Sequence, residues 1–174
     1  MKKYLLLILS LYILSSLQAS DLADRYIMKV IENGQLYFIL PYNIPSKSAK
    51  EKALSVDITY LTTSDSTTIN MSVWTKNELA IDSIVFVGRE NWRIEDFSIF
   101  FIEKDGKLWL HRYSLRFPFC QLVQLYKEPD PFVLCFYAKG DVLQYSCSLR
   151  SWSKEQLWMN QILHTIMSNK KIYE

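Results

Sequence analysis

The chain has 174 residues, 49% of them hydrophobic, 22% charged and 14% aromatic, with only 4 Gly and 5 Pro. That is enough for one globular domain with a full core, and it excludes a disordered, collagen-like or low-complexity chain. The formal net charge of +2 comes from Lys2 and Lys3; without them, 18 basic residues face 18 acidic ones, and like charges form no block. The electrostatic footprint of a nucleic-acid binder is therefore absent, as is a polybasic segment for a membrane surface.

Residues 1–19 read as a secretory signal peptide. Lys2 and Lys3 form a short positive region, Tyr4 to Leu17 is apolar apart from Ser10, Ser15 and Ser16, and Ala19 is the expected last residue before cleavage. The apolar run falls short of the roughly 20 residues a bilayer span needs. The expectation is a protein exported to the periplasm or outside the cell, soluble after cleavage. Residues 20–174 would form a single β-rich domain with no integral membrane segment in the mature chain.

Strand-like alternation then dominates. Tyr26–Glu32 and Gln35–Pro41 read as a hairpin through Asn33-Gly34, with Ile31 opposite Leu36, Val30 opposite Tyr37 and Met28 opposite Ile39. Both faces of that pair are apolar, which predicts a central or doubly covered position. Asn43 to Lys52 reads as a polar connector. Ser55–Thr62 and Thr68–Trp74 alternate cleanly, and Ile81–Val87 is a further apolar strand. The charged stretch Arg89–Asp96 interrupts the pattern. An Asp105-Gly106 hairpin joins Phe97–Glu103 to Lys107–Ser114, pairing Ile102 with Trp109, Phe101 with Leu110 and Phe100 with His111. Phe119–Tyr126, Phe132–Ala138 and Val142–Leu149 complete the strands, the last two joined through Gly140-Asp141.

The period changes at the C-terminus. Ser153 and Gln156 fit a capping box, and Trp158, Met159, Ile162, Leu163 and Ile166 make one apolar face of a helix over about residues 153–169. The fold class is thus mainly β (α+β): an antiparallel β-meander of about nine or ten strands, barrel-like or a strongly curved sheet, with one C-terminal amphipathic helix packed on it.

Chemical signatures are scarce. Cys120, Cys135 and Cys147 are odd in number and lie 15 and 12 residues apart, which fits neither a zinc site nor a complete disulfide set. The expected hairpin register points Cys135 and Cys147 to opposite sides, so no disulfide is predicted. His111 falls on a strand and His164 on the polar helix face, neither in a catalytic motif. Asn70-Met71-Ser72 matches the glycosylation acceptor pattern but falls mid-strand. No Gly-rich phosphate loop is present, and no cofactor or metal is implied.

One segment offers functional side chains. Trp92, flanked by Arg89 and Arg93, is the candidate ligand-binding group, and Glu90, Glu95 and Asp96 are the carboxylates a glycan hydrolase would need. The reading that asks least of the sequence is a non-enzymatic binding module engaging a protein or envelope component. The alternatives are a carrier of an apolar ligand in an aromatic-lined β cavity, since Trp, Tyr and Phe number 5, 11 and 9, and a hydrolase acting through paired carboxylates.

Overall fold

Val56, Ile58 and Tyr60 alternate into the core from β3 (Leu54–Leu61), leaving Ser55, Asp57 and Thr59 on the opposite face. Ile69, Met71 and Val73 do the same from β4 (Ser66–Thr75). Period-2 side-chain alternation thus builds one buried face into both strands. The structure, a computed structural model, describes residues 22–48 and 52–170. The signal expected over residues 1–19 lies outside the described residues.

The remaining strands are β1 (Tyr26–Ile31), β2 (Gly34–Ile44), β5 (Ile81–Val87), β6 (Asn91–Ile94), β7 (Phe97–Asp105), β8 (Leu108–Pro118), β9 (Val133–Ala138) and β10 (Asp141–Tyr145). The helices are α1 (Phe119–Lys127) and α2 (Leu149–Lys170). The strands form two antiparallel sheets rather than one meander: a six-stranded sheet ordered β1-β2-β3-β4-β8-β7 and a four-stranded sheet ordered β10-β9-β5-β6. Their inner faces meet through Phe86 against Phe117 and Tyr113 against Phe136, with ring centroids 4.8 and 6.0 Å apart. At one corner the sheets are joined, because Lys47 N–H donates to the Gln144 carbonyl and Ser146 N–H to that of Pro45. The expected barrel-like closure does not occur among the described residues, since β1 and β7 each pair with one neighbour only.

The strand expected over Phe119–Tyr126 is instead helix α1. Phe119, Leu122, Val123 and Tyr126 are all buried and recur at three- and four-residue intervals, the helical period. Pro118, which has no N–H to continue a ladder, stands at the helix start. Phe119 stacks on Tyr60 at 3.9 Å, docking α1 on the six-stranded sheet. Conversely, the charged stretch expected to interrupt the strands contains β6, which pairs with β5 through Phe86 opposite Trp92. One strand lost and one gained leave ten.

Each glycine hairpin turns one residue away from the expected place. Ile31 pairs with Gly34, Asp105 with Leu108, and Ala138 with Asp141. The partners consequently shift by two, putting Met28 opposite Tyr37, Ile102 opposite His111 and Phe136 opposite Leu143. A two-residue shift keeps every side chain on its face, so the pattern survives the error. In the first hairpin Gly34 is needed for a close approach rather than for the turn: a Cβ there would lie 2.6 Å from Thr62 Oγ1. The same hydroxyl accepts the Gln35 N–H at 2.9 Å.

β2 also runs past its expected end at Pro41. A register irregularity between Ile39 and Tyr42 takes up the proline and switches the inward set from Tyr37 and Ile39 to Tyr42 and Ile44.

Helix α2 begins at Leu149, four residues before the expected start, because Ser148 Oγ accepts the Ser151 N–H at 3.2 Å. Met159, Ile162, Leu163 and Ile166 are buried as expected. Gln156, read from sequence as half of a capping box, binds α1 instead. Its amide donates to the Tyr126 and Glu128 carbonyls at 3.0 and 2.6 Å, and Asn160 donates to Tyr126 at 3.0 Å. These bonds satisfy carbonyls that the end of α1 would leave bare.

Candidate interaction surface

Phe97-Ser98-Ile99-Phe100-Phe101-Ile102 carries no charge over six consecutive residues. Such a run forms a strand readily, since Phe and Ile suit the pleated surface. Phe97 anchors it, packing edge-on against Tyr113 at 5.6 Å, and Ile102 lies opposite His111. Between these anchors Ile99, Phe100 and Phe101 are 49%, 60% and 43% exposed. β7 is the last strand of its sheet, so its outer backbone edge is open as well. Ile99 pairs with Tyr113 and Phe101 with Arg112, which leaves Phe100 as the extra residue of a bulge.

Natural sheets usually guard such an edge with charge, a bulge or a covering element. β7 has the bulge and the charged residues Glu103, Lys104 and Asp105 at its end, but over Phe97–Ile102 it has no charge and, among the described residues, no strand paired on its outer side. The opposite edge, β1, also exposes Ile27, Met28, Val30 and Ile31, contrary to the central position its two apolar faces predict. Lys29 stands mid-strand there and lies over the Phe38 ring at 5.7 Å, a guard that β7 lacks.

The sequence-derived site does not assemble in one place. Trp92 points inward and meets Phe117 edge-on at 6.0 Å. Arg93, one residue on, lies over the Tyr137 ring at 5.8 Å and bonds Glu95 at 2.7 Å. Alternation along β6 separates these two side chains. Arg89 lines an open cleft of about 560 Å³ with Glu128, Pro129, Asp130 and Pro131. The Glu90 carbonyl accepts the Gly88 N–H at 3.2 Å, and its side chain is exposed. Asp96 lines a different shallow cleft, beside Thr68 and Arg116.

The interior is filled. The cavity among Tyr42, Ile58, Met71, Phe86 and Leu122 holds about 10 Å³, and a neighbouring one near Cys147 and Trp152 is the same size. That is space for one water at most. Between these voids the Tyr42 and Tyr126 hydroxyls bond to each other, and burial pushes both phenols well above their ordinary pKa.

His111 is fully buried, with Nε2 2.9 Å from Thr75 Oγ1. Burial lowers its pKa and outweighs the Asn77 backbone and the Glu78 charge, which act the other way. His164 is exposed. All three cysteines are free: Cys120 exposed, Cys135 buried and Cys147 half-buried. Among the described residues no cluster of His, Cys, Asp or Glu could hold a metal ion, and no helix is long and apolar enough to cross a membrane.

The exposed β7 edge escaped the sequence reading, which treated its aromatics as ordinary cross-strand pairs. The available signal was the absence of any polar alternation from Ile99 to Ile102, which means a strand either covered on both faces or bare on both. Comparison of the chain with known family models, curated proteins and solved structures yields no match.

Proposed function

We propose that this chain is an exported, non-enzymatic binding module of the cell envelope that engages a protein partner along β7. The observation that carries the reading is an edge strand whose first six residues are uncharged and whose Ile99, Phe100 and Phe101 side chains are exposed, with no strand paired on its outer edge among the described residues. A partner strand added there would gain main-chain hydrogen bonds and cover Ile99, Phe100 and Phe101, the recognition mode of strand addition. Each of the three is already about half-buried, so covering it is worth about half of the roughly 1.5–3 kcal/mol that full burial of such a side chain contributes. The filled interior lends nothing to the carrier alternative. The dispersal of Glu90, Glu95 and Asp96 lends nothing to a paired-carboxylate hydrolase.

The test is site-specific photocrosslinking in the native host, with the probe replacing Phe100 or, as a control, the exposed Leu157 of α2. The expected result is a discrete protein adduct from position 100 that position 157 does not give. Identical adducts from both positions, or none from position 100, would overturn the reading. Intact-mass measurement of the same purified protein checks export, with a chain beginning at Ser20 expected.

A further inference from the structure

We infer that His111 is a proton-operated catch on the connector of residues 76–80: its neutral ring holds the connector closed through Thr75, and its protonated ring releases it. The inference concerns the seam between the two sheets and is independent of the β7 edge.

Residues 76–80 carry the chain from β4 in the six-stranded sheet to β5 in the four-stranded one. Among the described residues no backbone–backbone hydrogen bond holds this crossover. Two contacts close it: Leu79 packs against the core, and the Asn77 carbonyl accepts the Thr75 hydroxyl at 2.5 Å. That hydroxyl has one hydrogen and gives it to Asn77, so at its 2.9 Å contact with His111 Nε2 it can only accept. Nε2 therefore carries the ring proton, and Nδ1 is left as a buried acceptor with no partner among the described residues.

A second proton on this ring goes to Nδ1, where it meets no acceptor. Val73 faces the ring from β4 and Ile102 from β7, and Tyr113 of β8 stacks on it at 6.1 Å. The two aliphatic groups cannot pair with a charge, and burial keeps the Tyr113 phenol neutral far above its ordinary pKa. Among the described residues the one charge acting on the ring is that of Glu78, in the connector itself.

A buried cation without a partner is costly, so the protonated ring must gain water or a carboxylate. β4, β7 and β8 are tied to one another by their ladders, whereas the connector has none. Movement of the connector admits water to Nδ1 and lets Glu78 approach it. It also reshapes the cleft of about 270 Å³ that Asn77 and Leu79 line together with Trp74, Asp141 and Val142.

The experiment uses the full mature protein with Cys120→Ser, which removes the exposed thiol, and Leu79→Cys as the probe. A pyridyl disulfide, which labels thiols in mild acid, is read by peptide mass at position 79, as a rate relative to the urea-unfolded chain at the same pH. Below pH 6.5 that ratio should rise about 10-fold per pH unit and level off below the folded pKa of His111. Urea below the unfolding transition should hardly change it, because a local opening exposes little surface. His111→Gln keeps an N–H donor but cannot take up a proton, and should flatten the profile. Thr75→Val should leave position 79 open already at about pH 8, whereas Thr75→Ser should keep it closed. Glu78→Gln should leave the response in place.

A pH response that survives His111→Gln, or one that disappears with Glu78→Gln, overturns the inference. A urea slope equal to that of full unfolding overturns it as well, because the opening would then be global. So does a Thr75→Val chain that stays closed in mild alkali.

Discussion

The side-chain amide of Gln156 spans two helices, donating from α2 to the Tyr126 carbonyl at 3.0 Å and to the Glu128 carbonyl at 2.6 Å. Trp152 Nε1 adds a bond to Glu128 at 3.3 Å. The C-terminal helix is therefore held both by its apolar stripe and by capping the end of α1. Gln156→Leu keeps the volume and removes the donors, leaving part-buried carbonyls less satisfied. The expected loss is about 1–3 kcal/mol in urea unfolding, with an unchanged slope. A loss near zero would mean that water replaces the amide without cost.

His111 makes stability fall in mild acid. Its folded pKa lies below the ordinary 6.5 because burial disfavours the imidazolium. Between the folded pKa and 6.5 the unfolded chain binds a proton that the folded chain does not. Stability is thus full above about pH 6.5, declines as pH drops through that window and levels off below the folded pKa. His111→Phe should flatten this part of the curve, as read from urea midpoints between pH 8 and pH 4.

Asp57 and Arg112 form an ion pair on the outer face of the six-stranded sheet, both about one-fifth exposed. Asn70 donates to Asp57 at 2.8 Å, and Arg112 donates to Ser72 at 2.8 Å. Arg112→Met leaves a partly screened carboxylate with only the Asn70 amide. The expected cost is about 1–3 kcal/mol, between the values for exposed and for buried pairs. Adding Asp57→Leu should recover part of it, and a double-mutant cycle measures the coupling.

The glycines differ sharply in what they tolerate. Gly34 has φ +138° and no room beside Thr62 Oγ1, whereas Gly106, at φ +62°, and Gly140, at φ +83°, face open space. Gly106→Ala and Gly140→Ala should each cost about 1–2 kcal/mol for the left-handed backbone. Gly34→Ala should cost clearly more, because the clash adds to the strain. Equal unfolding midpoints for the three variants would contradict this ordering.

Thiol reactivity follows burial. Burial pushes the Cys147 thiol up to about 11 and raises Cys135 as well, while Cys120 is exposed. Under native conditions at neutral pH, one thiol should react quickly with an aromatic disulfide reagent, and all three after denaturation. A single fast thiol that Cys120→Ser does not abolish would contradict the burial order.

The sequence by itself determined the β-rich class, the inward faces of β3 and β4, the existence of three glycine hairpins and the apolar stripe of the C-terminal helix. Each is a local matter, set by the period of side-chain projection or by backbone conformations that glycine permits. Only the tertiary structure decided which strands became edges. Apolar residues on both faces of β1 and β7 describe a central strand and an unprotected edge equally well. It also decided α1 over a strand, since a short apolar run fits both periods until Tyr60 supplies a docking surface for Phe119. The Trp92 side chain was placed the same way: pairing β6 with β5 turns it toward Phe117 and away from the two arginines that flank it in sequence. Periodicity specifies the face a side chain lies on, and the neighbour on that face is set by the packing of the sheets.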